Sequence, residues 1–362
     1  MGVLTALAIL AGLIVVHEAG HFFAAVWQGI RVSGFSVGFG PALLQRQRRG
    51  VQFALRAIPL GGYVSFPDDD DSSPFPPDDP NLLRNRPLPQ RALVIAAGVL
   101  ANLLLAFLVL LAQGYLLGIP AGFSTSPGVL VSGVQPGQPA ALAGLKTGDR
   151  ILALDNTAVR GGQEAVAAFV REIKASPRRP LQLRAERGGR TVNLTLTPAD
   201  QSGIGRIGAQ LQPFGTEAFR APKGPLEPIR QASHDFLVLT RRTVEGFTTL
   251  FTHFGETASQ VSGPVKIVEM GASLANQGGS SLFLFAALIS INLAVLNALP
   301  FPLLDGGQFA LLLVEGLRGR PLPERFHNAF TQSGFVLLLG LSLVLIVKDT
   351  SQLPMVQQLF GR

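Results

Sequence analysis

Long, nearly uninterrupted apolar runs, divided by polar stretches rich in glycine and proline, set the layout of this chain of 362 residues. A helix crossing the hydrocarbon core of a bilayer needs roughly 20 apolar residues. Four stretches meet or approach that length: residues 3–27, 92–117, 281–299 and 332–347. The third is broken by prolines and regains apolar character at 309–314, so its segment is taken as 281–316. The other three lie within 1–30, 92–118 and 331–348. The first run lacks a basic start, and His17, Glu18 and His21 stand where a cleavable signal peptide would end, which argues for a retained span. The predicted fold class is an α-helical polytopic membrane protein with a membrane-associated β-hairpin region and an inserted α+β domain.

Between the runs the period changes. Residues 31–66 alternate glycine with β-forming residues and predict one or two β-hairpins hinged on Gly34, Gly38, Gly40, Gly61 and Gly62. Residues 67–91 are rich in proline and carry the run Asp68–Asp71, which predicts an extended, solvated linker. Residues 126–200 predict a small separate domain: a strand at VLVSGV, a short helix after Pro136-Gly137, a turn and strand at LKTGDRILALD, a helix at EAVAAFVREI and a closing hairpin over Gly188-Gly189. The remainder, 201–280, contains an amphipathic stretch at 233–254. There Phe236, Leu239, Val244, Phe247, Phe251 and Phe254 recur at helical steps and Ser233 can cap. Such a helix either lies in the lipid interface or packs on a core.

Composition agrees with this layout: 47% of residues are hydrophobic and 15% charged, against about 25% charged in a typical soluble domain. Lys and Arg number 30 against 23 Asp and Glu, a net charge of +7. In a membrane protein an arginine excess marks cytoplasmic loops, so nucleic acid is not an expected partner. The segment 28–91 and the loop with Arg318, Arg320 and Arg325 are expected in the cytoplasm. The termini and the long 118–280 segment then lie outside, and the location is a multi-pass inner membrane.

With no cysteine, a metal site must use the five histidines and the carboxylates. His17-Glu18-Ala19-Gly20-His21 puts two imidazoles four residues apart on one helical face, where both can reach one zinc while Glu18 activates a water. Ionisable groups at the end of an apolar helix are functional by default. His234, His253 and His327 lie in other segments, and the best remaining third donor is Asp305 in Asn297-Ala-Leu-Pro300-Phe-Pro302-Leu-Leu-Asp305-Gly306-Gly307. Prolines there unwind the helix, and irregular backbone at membrane depth is tolerated where it lines a buried or wet cavity.

Taken together, these residues resemble the site-2 protease family of intramembrane zinc metalloproteases. His17, Glu18 and His21 match its HExxH, and Asn297 through Gly306 match its Asn-x-x-Pro-x-Pro-x-x-Asp-Gly. Gly98-Val-Leu-Ala-Asn102 matches a motif that usually reads Gly-Pro-x-x-Asn, with Val99 in place of proline. The 126–200 domain resembles a permuted bacterial PDZ domain, with Gly144, Leu145, Gly148 and Asp149 at the turn into its central strand. The resemblance implies a Zn2+ cofactor held by His17, His21 and Asp305, and Glu18 as the catalytic base. Asn297, Gly38, Gly40 and Asn102 are the implied substrate-binding positions. Its substrates would be transmembrane proteins such as anti-sigma factors or remnant signal peptides, and the lipid bilayer is the other partner. The PDZ-like domain would act as a size filter or a peptide recruiter. A metal transporter or an inactive membrane scaffold displaying a PDZ module are the alternatives. The first would not need Glu18 between the ligands, and the second would break the HExxH, which is intact.

Overall fold

The computed structural model describes residues 2–69, 74–135, 137–257, 263–277 and 279–351. In chain order, α1 (Gly2–Trp27) leads into strands β1 (Gly34–Arg48) and β2 (Val51–Ser65). Two short 3-10 turns precede α2 (Leu88–Leu116). Then come β3 (Ile119–Val134), α3 (Pro139–Leu142), β4 (Arg150–Leu154), β5 (Thr157–Ala158) and α4 (Gly162–Ala175). Strands β6 (Leu181–Arg187), β7 (Arg190–Leu196), β8 (Ala199–Gln201), β9 (Ile204–Arg206) and β10 (Ala209–Arg220) follow. The chain closes with α5 (Glu227–Thr252), α6 (Phe254–Thr257), α7 (Pro264–Gln277), α8 (Gly279–Asn297), α9 (Asp305–Arg318) and α10 (Glu324–Ser351). Two compact units result, a helical one from 2–117 with 222–351, and a β-rich one from 118–221.

In the helical unit, α1, α2, α8 and residues 325–348 of α10 are long and apolar enough to cross a membrane. Their outer faces keep large apolar side chains exposed, such as Leu4 and Phe23 on α1, Leu100, Leu104 and Leu108 on α2, and Leu339 and Leu343 on α10. Their inner faces meet through small residues. A Cβ on Gly20 would lie 2.4 Å from the Ala97 carbonyl oxygen, and one on Gly271 of α7 would lie 2.8 Å from Ala6 of α1. Backbones that approach this closely gain van der Waals contact where no hydrophobic drive operates between helices.

Helix α5 begins earlier than the sequence suggests. Pro228 sits in its first turn, and Ser233 lies inside the helix, where its hydroxyl donates to the Ile229 carbonyl at 2.8 Å instead of capping. Ala232, Phe236 and Leu239 pack against Ala106, Leu110, Ala287 and Ile291 of α2 and α8, while Val244, Phe251 and Phe254 stay exposed. The amphipathic stripe is thus split between a packed half and an open half.

The hairpin region is one ribbon bent on itself. Residues 34–37 pair on one side with 52–55 and on the other with 62–65, and 44–48 pair with 51–55. After it, the expected extended linker is instead fastened down in its described part. The Asp79 carboxylate accepts from the Asn81 N–H and from Arg31 Nε, each at 2.8 Å. The Asn85 amide donates to the Pro77 and Asp79 carbonyls, Arg86 donates to the Gly29 carbonyl, and Leu82 is buried. Residues 74–82 form neither helix nor strand, and side-chain to backbone bonds order them instead. Residues 70–73, and with them part of the acidic run, lie outside the described residues.

The β-rich unit is wider than 126–200. Its strand order is β10-β3-β4-β6-β7, with β5 on β4, so β3 lengthens the predicted first strand and β10 adds an edge strand beside it. Ala165, Phe169 and Ile173, four apart on α4, close over Val129, Val131, Ile151, Leu181, Leu183 and Leu196. Asp149 is 1% exposed and holds the Gly144–Asp149 turn: it accepts the Lys146 N–H at 2.9 Å and Arg187 at 2.6 and 2.7 Å.

Candidate metal centre and active site

Helix α1 runs unbroken from Gly2 to Trp27 despite Thr5 and Gly12, because the rest of Val3–Val16 is apolar, and its pitch puts His17 and His21 on one face. On α2, Gly98 makes the room. A Cβ there would lie 2.2 Å from His21 Nε2 and 2.7 Å from His17 Cε1. One helical turn on, Asn102 is fully buried with its amide 3.2 Å from His17 Nδ1. The His21 Nδ1–H donates to the Val94 carbonyl at 2.8 Å.

The third group arrives from the far end of the chain. Helix α8 stops at Asn297, and the backbone turns irregularly through Pro300 and Pro302, with Leu303 at φ +73°. It re-enters a helix at Asp305, so the carboxylate stands in the first turn of α9. Gly306 and Gly307 permit this. Their Cβ atoms would lie 2.3 Å from the Ala298 carbonyl oxygen and 1.9 Å from that of Phe301. Asp305 Oδ2 is 3.3 Å from His17 Nε2 and 3.4 Å from His21 Nε2, and the two Nε2 atoms are 3.3 Å apart.

Among the described residues this is the group of histidines and carboxylates whose ligand atoms converge as a metal site would need. Asp305 Oδ2 is buried and no hydrogen bond of good geometry reaches it. A tetrahedral zinc with bonds of about 2.0–2.1 Å has ligand-to-ligand edges of about 3.3–3.4 Å. The three distances match that spacing, and the donor set of two imidazoles and a carboxylate suits zinc with one position left open. His234 lies in α5, His253 just beyond it and His327 in α10, none of them in the group.

Glu18 sits beside this group under the β-ribbon. A Cβ on Gly62 would lie 3.1 Å from its Cγ, and the Val64 backbone is within hydrogen-bonding reach of its carboxylate. The implied substrate-binding positions divide. Asn297 has its amide 3.3 Å from His17 Nε2, at the edge of the metal group. Asn102 is fully buried behind His17, with its amide against that ring and away from open space. Gly38 and Gly40 are bends of the ribbon at φ +87° and +83°, and a Cβ on Gly38 would lie 2.5 Å from the Ile58 carbonyl oxygen. Gly98, the Val94 carbonyl and Gly62 were not among the predicted site residues. The four-residue spacing of Gly98 and Asn102 was the available signal, since it puts a notch and an amide on one helical face.

The sequence profile of Peptidase family M50 matches residues 5–341. The protein all3971 of Nostoc sp. (strain PCC 7120 / SAG 25.82 / UTEX 2576), which carries a zinc metalloprotease name, is 49% identical over 366 residues, 99% of this chain and 100% of its own length. Membrane metalloprotease ARASP, chloroplastic, of Arabidopsis thaliana is 42% identical over 360 residues, 99% of this chain and 80% of its own. Among solved structures, the PDZ domain of the SdrC-like protein Lmo2051 from Listeria monocytogenes covers 24% of this chain and 90% of its own length at 26% identity, with a TM-score of 0.21. A match over nearly the whole chain, joined to relatives of equal reach, places this protein in peptidase family M50, as a membrane zinc metalloprotease.

Proposed function

We propose that the protein cuts peptide bonds within the transmembrane segments of other membrane proteins, with His17, His21 and Asp305 as zinc ligands and Glu18 as general base. The observation that carries this reading is that His17 and His21 on the apolar helix α1 and Asp305, where the chain resumes after the apolar helix α8, bring their ligand atoms together at 3.3–3.4 Å. Zinc held there would supply Lewis-acid polarisation of the scissile carbonyl and a water acidified towards neutral pH. Glu18 takes a proton from the attacking water and returns it to the departing amine nitrogen. The Asn297 amide offers N–H donors beside the same group, where an extended substrate's carbonyl would lie.

A substrate helix hides its backbone in internal hydrogen bonds, so it must unwind before attack. Residues 62–65 pair with 34–37 and run over Glu18. An unwound segment added along this ribbon would regain backbone hydrogen bonds beside the base. The arginines of 28–91 support a cytoplasmic side for this ribbon. Regulated cleavage of anti-sigma factors or of remnant signal peptides are the substrate classes that fit.

The test is cleavage of a purified single-span protein in detergent, with the cut mapped by mass spectrometry. The reading expects new termini inside the apolar span. Cuts confined to the flanking loops would refute it.

A further inference from the structure

Asn102 is buried behind a zinc-ligand candidate and touches no open space, which raises the question of what its amide does there. A neutral imidazole carries one N–H, and the ring nitrogen that binds a metal must be the one without it. His17 directs Nε2 at His21 Nε2 and Asp305 Oδ2, so Nε2 needs its lone pair and Nδ1 must hold the proton. His21 meets this condition by donating Nδ1–H to the Val94 carbonyl at 2.8 Å. For His17 the neighbour of Nδ1 is the Asn102 amide at 3.2 Å, with its nitrogen towards the ring and with Oδ1 buried and unpartnered. A donor at Nδ1 would push the proton to Nε2 and block the ligand lone pair. The two ends of an amide have the same shape and either can face the ring. One end stays without a protein partner either way round, so the needs of the histidine decide.

We propose that Asn102 is a positioning residue whose carbonyl oxygen accepts Nδ1–H of His17, fixing the tautomer that leaves Nε2 free for zinc. Two features hold the amide in place. Asn102 lies one turn from Gly98, whose missing side chain lets the imidazoles approach α2. The Ser290 hydroxyl of α8 donates to the Asn102 backbone carbonyl at 2.8 Å, tying that turn of α2 to the helix that leads into the Asp305 break. Partners of this kind commonly change metal affinity by about 10–100-fold when removed. The inference rests on His17, His21 and Asp305 being the ligands.

The experiment is zinc affinity by chelator competition on the full chain in detergent, for wild type, Asn102→Asp, Asn102→Leu and His21→Ala. Asp offers only an acceptor, and Leu offers neither donor nor acceptor at similar size. Asn102→Asp should bind zinc at least as tightly as wild type, and Asn102→Leu about 10–100-fold more weakly. If Asn102→Asp is as weak as the Leu variant, the amide acts as a donor and the inference is overturned. Wild-type affinity in Asn102→Leu overturns it too. Should the Leu variant fail to fold, the Asp variant alone decides. Undiminished zinc in His21→Ala would instead fault the ligand assignment, which separates that failure from this one.

Discussion

Each unit buries a carboxylate, and the two are satisfied in different ways. In the β-rich unit Asp149 is 1% exposed, yet a backbone N–H and the Arg187 guanidinium donate three hydrogen bonds to it. In the helical unit Asp305 Oδ2 is also buried, but what faces it is a pair of imidazole nitrogens at 3.3 and 3.4 Å and no well-aligned donor. A buried carboxylate costs several kcal/mol unless paired, so a fully matched one is a structural pin. One that faces other ligand atoms is held for something that completes the set. The surroundings differ to the same end. Asp149 stands beside a core of Leu, Ile, Val and Phe, while Asp305 and the histidines fit into notches left by Gly98, Gly306 and Gly307.

The largest effect is expected at the base beside the Asp305 group. Glu18→Gln leaves the ligand set intact but cannot accept a proton, so cleavage should fall by about 10²–10⁴-fold while zinc stays bound. Parallel metal analysis and cleavage assays check this. Loss of zinc in that variant would make Glu18 a ligand or a structural group.

A steric change comes next. Gly98→Ala puts a Cβ 2.2 Å from His21 Nε2. It should weaken zinc binding by at least about 10-fold, as disturbing the groups that orient ligands does, with little change in expression. Chelator competition reads it, and wild-type affinity would show that the notch is not needed.

Asp149→Ala should behave in the opposite way. It strands Arg187, whose side chain is 33% exposed. Breaking a buried pair costs about 3–5 kcal/mol, and solvent screening of the guanidinium reduces this to about 2–3 kcal/mol. Denaturant unfolding of the β-rich unit should show that loss with zinc content unchanged. A fall in zinc would contradict the assignment of Asp149 as purely structural.

The smallest effect concerns Asp79. The Asn81 backbone N–H, and after it Arg31, hold its carboxyl below the usual carboxylate range. A group depressed on folding adds stability above its unfolded pKa, about 3.9, and loses it as pH falls through the lower folded value. Proteolytic nicking within 74–86 should therefore increase only as pH falls below about 4, and Asp79→Asn should show the increase at neutral pH. Identical nicking in both proteins at all pH values would refute the latch.

What the chain discloses by itself follows the same division. His17 and His21 are legible because helical pitch alone puts them on one face, and the Asp305 break is legible because prolines and glycines interrupt an apolar run. The role of Asn102 is not, since it depends on which helix α1 meets. Helix α7 is not legible because its polar positions give no spanning signal, and it is held by close contact of Gly271 with Ala6. Strands β3 and β10 extend beyond 126–200 because their glycine- and proline-bearing ends are stabilised only by pairing with each other, as in Phe123 with Glu217. Order in 74–86 comes from hydrogen bonds to Asp79 and Arg31 that composition does not reveal.

The central claim is that two distant stretches of chain meet to hold one zinc, and the zinc content of purified Asp305→Ala tests it most directly. Wild type should carry about one zinc per chain, the count a single three-ligand site with one open position allows. The variant should elute as a folded protein with most of its zinc gone and cleavage abolished. Full zinc occupancy with normal cleavage in Asp305→Ala would contradict the account.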